Sequence, residues 1–243
     1  MSEQQENTSQ FVIKTFPVGP LQCNCSIIGD RLSGRALVID PGGDADQIMA
    51  LINELNLKVT AIIHTHAHLD HILAAGEIKK ATGAPIYLHE SDQFLWDMVE
   101  QQCAMFGVPS VSLPEPDQYL KDDQALDCCG GVAIHTPGHT PGSVSFWFEQ
   151  YKTLIAGDTL FLGSIGRTDL PGGDFDQIIT SIKDRIYTLD DDAVVVTNPR
   201  ATHSKLPIDM LMAEDKDEEL DNYMKWKSIY VGDDTKTFTE QAE

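Results

Sequence analysis

The chain predicts an α/β fold in which two sheets pack face to face with helices on their outer sides. Two observations lead there. Short β-rich runs recur in both halves, and longer helix-like segments interrupt them. No repeating period marks a solenoid or propeller.

The first quarter reads β-β-β-α: FVIKTF (11–16), CSIIG (25–29) and ALVID (36–40), then the helical ADQIMALINEL (45–55). Asp44 stands three residues before Gln47, and Asp174 three before Gln177, so each acid is read as a helix N-cap with a reciprocal amide. VTAII (59–63) is a continuous β-branched run that suits a buried strand. A histidine cluster follows, then a helix through about Lys80, stopped by Gly83 and Pro85. IYLH (86–89) is the next strand, followed by a helical stretch to about Phe106 and an exposed loop holding Pro109, Pro114 and Pro116. The second half supplies strands at VAIHT (132–136), SVSFWF (143–148), TLIA (153–156) and AVVVT (193–197), with a helix over 175–189. Beyond Thr197 the composition shifts, since residues 205–243 carry eleven acids against five lysines. Ile208, Leu211 and Met212, then Leu220, Tyr223 and Met224, are spaced for a helix or two, with a frayed tail from Gly232.

A formal net charge of −21 repels phosphate backbones and anionic membrane surfaces, so nucleic acid and membranes are poor partners. The polar start MSEQQENTSQ and the lack of a long apolar run predict a cytoplasmic protein. The five cysteines are odd in number and include the adjacent Cys128 and Cys129, which suits reduced thiols. Cys23-Asn24-Cys25 has one intervening residue and no partner pair, so it is not read as a structural zinc site.

Chemistry concentrates in His64-Thr-His66-Ala-His68-Leu-Asp70-His71, which holds four of the eight histidines. Residues two apart on extended backbone point the same way, so His66 and His68 can address one ion. Asp70 and His71 fall where the chain turns into a helix and can face a second ion. Nitrogen donors with a carboxylate suit zinc, iron or manganese, not calcium. His64, inside the strand, is read as a packed or supporting residue. Thr136-Pro-Gly-His139-Thr-Pro-Gly-Ser143 is a stiff loop presenting one histidine, and Gly157-Asp158 places an acid directly after a strand.

Together these segments resemble the metallo-β-lactamase superfamily over roughly residues 11–197, with its H-x-H-x-D-H motif at 66–71. The resemblance implies a four-layer αββα sandwich with the site at one edge. It implies that His66, His68 and His139 hold one metal, that Asp70 and His71 help hold a second, and that Asp158 bridges both. TPGHTPGS (136–143), GDTLF (157–161) and GSIGRTDLPGGD (163–174) look like short glyoxalase II-like hydrolases, which are thioesterases. The implied cofactors are two divalent ions, zinc with iron or manganese as alternatives, and the implied partner is a small thioester or ester. Such a pair, roughly 3.5–4 Å apart, brings the pKa of a shared water from about 15.7 toward 7. Asp70 then orients that water as well as ligating, and no serine or cysteine nucleophile is needed.

The family closes its site with a Gly-His-Gly turn after the last core strand, but this chain has Asn198-Pro199-Arg200. His203, four residues beyond Pro199, is the substitute ligand to consider. Arg167 is the cation placed to meet an anionic substrate, unless it pairs with Asp169 or Asp174. The acidic tail argues against the basic glutathione-binding domain of full-length relatives. The domain reading is a catalytic unit over 1–203 and an acidic, partly helical segment over 204–243. Two alternatives accompany the thioesterase: a one-iron persulfide dioxygenase, which shares the GRTD stretch, and an inactive metal-binding member.

Overall fold

The computed structural model describes residues 10–161 and 164–197 together with the strand Lys227–Ile229. Phe11–Val18 (β1) and Cys23–Asp30 (β2) pair as an antiparallel hairpin, and Arg35–Ile39 (β3) adds antiparallel to β2. Lys58–Ile63 (β4), Ile86–His89 (β5) and Gln118–Leu120 (β6) then join in parallel, completing a sheet in sequence order. Parallel neighbours require crossovers, supplied here by Ala45–Glu54 (α1), Leu69–Ile72 (α2), Ala75–Thr82 (α3), Gln93–Asp97 (α4) and Val99–Phe106 (α5).

The second sheet contains Gln124–Ala125 (β7), Gly131–His135 (β8), Val144–Phe148 (β9), Thr153–Ile155 (β10), Val194–Val196 (β13) and Lys227–Ile229 (β14), in the order β14-β13-β10-β9-β8-β7. A small ribbon of Leu160–Phe161 (β11) and Ser164–Ile165 (β12) lies between β10 and the helix Phe175–Ser181 (α6) in the chain.

Period-2 alternation divides the apolar residues among three packing layers. On β3, Leu37 and Ile39 meet Phe146, Phe148 and Ile155 between the sheets, while Ala36 and Val38 face the helices with Ile48, Ile72 and Ile78. On the second sheet Trp147, Leu154 and Val195 face outward onto Ile178, Ile182 and Ile186. The result is helix, sheet, sheet, helix, as the sequence predicts. Among the described residues, no helix is long and apolar enough to cross a membrane.

Several boundaries differ from the sequence expectation, each for a local reason. The single helix expected after the histidine cluster is two, because the Ala74 N–H donates to the Pro41 carbonyl at 2.9 Å and leaves the helical ladder. The helix expected over 175–189 is α-helical to Ser181 and then winds as a π-helix over Ile182–Ile186. Ile178, Ile182 and Ile186 are spaced by four, which overshoots a 3.6-residue turn, and the wider turn keeps them on the sheet. Asp174 caps its helix, accepting from the Gln177 N–H at 2.9 Å. Asp44 does not: its backbone is left-handed, and its carboxylate accepts from the Gly19 N–H instead. The short strands β6, β7, β11 and β12 carry too few residues for a periodic signal. The expected helices at 208–224, the frayed tail and His203 lie outside the described residues.

His89 at the end of β5 stacks on His135 of β8, ring centres 4.1 Å apart, and so joins the two sheets. Burial, then the His135 charge, pushes the His89 pKa from 6.5 down to about 4. Between those values the unfolded chain binds more protons than the folded one, so stability rises with pH across that window. Urea unfolding at about pH 4.5 and about pH 7.5 should show a larger acid loss in the parent protein than in His89→Gln, by about 1 kcal/mol after solvent screening. Equal losses would show that the stacked pair does not exclude protons.

Candidate metal centre

The cluster begins where β4 ends, so His64 to His68 sit at the C-terminal ends of the parallel strands, and His68 is extended as the chain enters α2. His66 is 1% exposed and His68 9%. The loop between β8 and β9 brings in His139, 2% exposed. His139 Nε2 lies 3.2 Å from His66 Nε2 and 3.0 Å from His68 Nδ1. The other nitrogens of two of these rings are already spoken for. Thr65 Oγ1 donates to Asp40 Oδ2 and therefore accepts from His66 Nδ1–H at 3.1 Å, and His139 Nδ1–H donates to the Arg167 carbonyl at 2.7 Å. Two lone pairs, on His66 Nε2 and His139 Nε2, thus face each other with His68 Nδ1 beside them. One shared proton cannot serve three nitrogens, whereas a cation can, and the spacing is that of donors around one ion.

A second donor set adjoins the first. His71 Nδ1–H donates to Asp40 Oδ2 at 2.9 Å, which turns Nε2 toward Asp158 Oδ1 at 3.5 Å and Asp70 Oδ2 at 3.9 Å. The other Asp158 oxygen, Oδ2, lies 3.7 Å from His139 Nε2. One carboxylate therefore spans the two sets. Within 4.8 Å of one another lie donor atoms of His66, His68 and His139, of His66, His71 and Asp158, and of Cys23, Asp70 and His71. The Asp70 and Asp158 side chains stay 21% and 20% exposed, so the carboxylates mark the open side of an otherwise buried cluster. These residue types and tautomers fit a pair of divalent cations.

The electrostatics agree with that crowding. Burial, followed by the neighbouring imidazoles, holds the pKa values of His66 and His68 well below the ordinary histidine value. Burial also opposes a charged His71, but Cys23, Asp40, Asp70 and Asp158 outweigh it and raise its pKa well above ordinary. Asp158 is held low, its burial overcome by His71, His139 and His68. Asp70 is raised by burial, with Asp158 adding to the shift.

Three residues that sequence reasoning missed hold this geometry. Asp40 sits in left-handed backbone at φ 52° and ties the Thr65 N–H, the Thr65 hydroxyl and His71 together. It closes ALVID (36–40) directly after β3, much as Asp158 comes just after TLIA (153–156), so an acid at a strand's end was its available signal. Asp92, 0% exposed, accepts from the Ala67 and Gly142 N–H groups and the Thr140 hydroxyl at 2.6–3.0 Å. It thereby pins the His66–His68 segment to the His139 loop. Gln102 accepts from the Leu69 N–H and donates to the Ala67 and Leu95 carbonyls. Neither Asp92 nor Gln102 has a local sequence signal. Glycine is needed where backbones meet: a Cβ on Gly42 would lie 1.6 Å from the Asp70 carbonyl oxygen, and one on Gly166 would lie 1.8 Å from that of Asp158.

The other expectations fall as follows. His64 is packed: it contacts the His71 carbonyl through Nδ1 at 3.1 Å, meets Trp96 edge-on, and its pKa is pushed by burial to about 4. The Arg167 guanidinium pairs with Asp169 at 2.7 and 2.8 Å, not with Asp174. Among the described residues Cys25 joins no donor group, whereas Cys23 lies against His71.

Comparison with known proteins places this arrangement. The family model of the metallo-beta-lactamase superfamily matches residues 18–197, and the chain belongs to that superfamily. It is 38% identical over 188 residues to the hydroxyacylglutathione hydrolase GloC of Haemophilus influenzae, covering 76% of this chain and 88% of that protein. It is 36% identical over 189 residues to the probable metallo-hydrolase YqgX of Bacillus subtilis, with the same two shares, 76% and 88%. Among solved structures it superposes on the B3 metallo-beta-lactamase BLEG-1 with a TM-score of 0.70 at 32% identity, covering 84% of this chain and 98% of that one. TTHA1623 in a di-iron-bound form gives 0.69 at 31% identity, covering 82% and 96%. The chain is thus a metallo-hydrolase of this superfamily.

Asp92→Ala strands the Ala67 and Gly142 N–H groups in the interior, while the Thr140 hydroxyl keeps Ser143 Oγ at 2.8 Å. It should lower unfolding free energy by about 3 kcal/mol, with Asp92→Asn recovering part of that. A urea midpoint for Asp92→Ala equal to that of the parent protein would show that Asp92 does not pin the two loops.

Proposed function

We propose that the chain is a two-metal hydrolase of thioesters, with S-lactoylglutathione as a representative substrate. The observation that carries this reading is the pair of donor sets sharing Asp158. His66, His68 and His139 hold one cation, Asp70 and His71 hold the other, and Asp158 serves both. Zinc suits these nitrogen and oxygen donors, and the di-iron form of TTHA1623 makes iron the alternative. Two such cations supply a water acidified toward neutral pH and a Lewis acid for the substrate carbonyl. The 38% identity to GloC, named a hydroxyacylglutathione hydrolase, supports the thioester as the bond cleaved.

Each chain group then has a physical task. Asp70, on the open side, accepts a hydrogen bond from the attacking water and aims it. Asp40 and Thr65 fix which nitrogens of His71 and His66 carry protons, so the free lone pairs stay aimed inward. Arg167, 52% exposed, offers its guanidinium to an anionic substrate group in exchange for Asp169. Cys103 and Cys128 are buried in apolar clusters and take no part. We assign catalysis to residues 1–203 and leave the acidic 204–243 segment outside it.

Metal analysis of protein purified without added metal, joined to a thioester assay, tests the reading. About two equivalents of metal and S-lactoylglutathione turnover are expected, with kcat falling about 10²–10³-fold in Asp70→Asn while KM changes little. One equivalent or less with no turnover overturns the proposal. One iron with oxygen uptake on glutathione persulfide would assign a dioxygenase instead.

A further inference from the structure

Cys128 and Cys129 lie in the turn that leads from β7 into β8, and among the described residues neither joins a donor group of the metal centre. The Cys128 Sγ contacts the Arg35 carbonyl at 3.5 Å, at the start of β3, whereas Asp40 and the donors it ties together lie beyond the other end of that strand. Arg35–Ile39 covers about 13 Å along the strand direction. On the second sheet the pair precedes β8 and His139 follows it. Both sheets thus put the two thiols at the end of the sandwich remote from the metal donors.

Neighbouring side chains on extended backbone point to opposite faces, so adjacent thiols ordinarily diverge. Here Cys129 takes left-handed backbone at φ 63°, unfavourable for a residue with a Cβ, and the two sulfurs come within 2.6 Å. Closing that contact to a bond of about 2.05 Å moves the sulfurs by about half an ångström. Cys128 is 5% exposed and packs between the sheets, whereas Cys129 is half-buried and open to solvent on one side. The hydrogen bond from the Cys129 thiol, aided by the Arg35 charge and opposed by burial, holds the Cys128 pKa below its ordinary value. The same bond holds Cys129 above it, since its proton is the one in use. A thiolate with a second thiol against it is the arrangement of an attacking and a resolving cysteine.

We infer that Cys128 and Cys129 are a reversible modification site, a dithiol that a low-molecular-weight disulfide oxidises to a vicinal disulfide within the chain. The ionised pair shares one proton, which passes to Cys128 across the 2.6 Å contact and leaves the accessible Cys129 as thiolate. Cys129 attacks one sulfur of the small disulfide and expels a thiolate, which takes the Cys128 proton. Cys128 then attacks the Cys129 sulfur and expels the second thiolate, which takes up the proton the pair had released to water on ionising. Two protein thiols and one small disulfide become one protein disulfide and two small thiols, with two electrons passing from the protein. Adjacent Cα atoms are about 3.8 Å apart, short of the about 4.4–6.8 Å usual for a disulfide, so the ring is strained and thiols reopen it. The inference is independent of the two-metal reading.

Oxidised glutathione, added in excess to the full chain at neutral pH, is the probe, with free thiols counted and the peptide holding both residues read by mass spectrometry. Cys23, Cys25 and Cys103 are each 0% exposed, so the product should have lost two of its five thiols, both in that peptide. Its mass should fall by two hydrogens with no glutathione attached, and excess reduced glutathione should restore all five thiols. Cys128→Ser leaves the accessible sulfur without its neighbour and should stop at a mixed disulfide with one glutathione. Cys129→Ser, which removes the accessible sulfur, should keep its remaining thiols, and it serves if Cys128→Ser does not fold. The parent result is informative without either variant. Survival of all five thiols, a parent protein that stays a mixed disulfide, a bond to Cys23, Cys25 or Cys103, or a disulfide that reduced glutathione does not reopen overturns the inference.

Discussion

Everything at this site follows from one constraint: imidazole lone pairs with no proton to share have been folded onto a common point. His66 Nε2 and His139 Nε2 face one another at 3.2 Å because Thr65 and the Arg167 carbonyl claim the protons on their other nitrogens. Bringing acceptors together in a buried place is unfavourable, and the surrounding structure must enforce it. Asp40, Asp92 and Gln102 do so with backbone hydrogen bonds that order the loops before anything binds. This is preorganisation, in which folding free energy sets ligand geometry in advance.

Much of this was legible in the sequence, for physical reasons that differ by residue. The β-rich runs FVIKTF, ALVID and SVSFWF and the continuous β-branched run VTAII are local signals, so these strands could be read directly. The cluster His66 to His71 was legible because extended and helical backbone each have a known periodicity. His139 and Asp158 were weak alone and became informative only in combination. Asp92 and Gln102 were not legible, since their roles exist only across long sequence separations: Asp92 to Gly142 spans 50 residues, and Gln102 to Leu69 spans 33. The Asp44 cap failed similarly, because Gly19, 25 residues away, captured the carboxylate that a local rule gives to the helix.

The strong negative charge of the chain contributes in the background. At −21 it attracts cations from all directions but discriminates among none of them. Selection would come from the short-range donor set, where nitrogen and oxygen sit at fixed separations.

The donors gathered here do not come from one layer. His66, His68 and His71 follow the first sheet, whereas His139 and Asp158 follow strands of the second. An occupant of the shared point is therefore a rivet between the two halves of the sandwich, and its grip is felt only while they are docked. Neither half can assemble the full set of donors alone, so the site exists only where the two sheets meet.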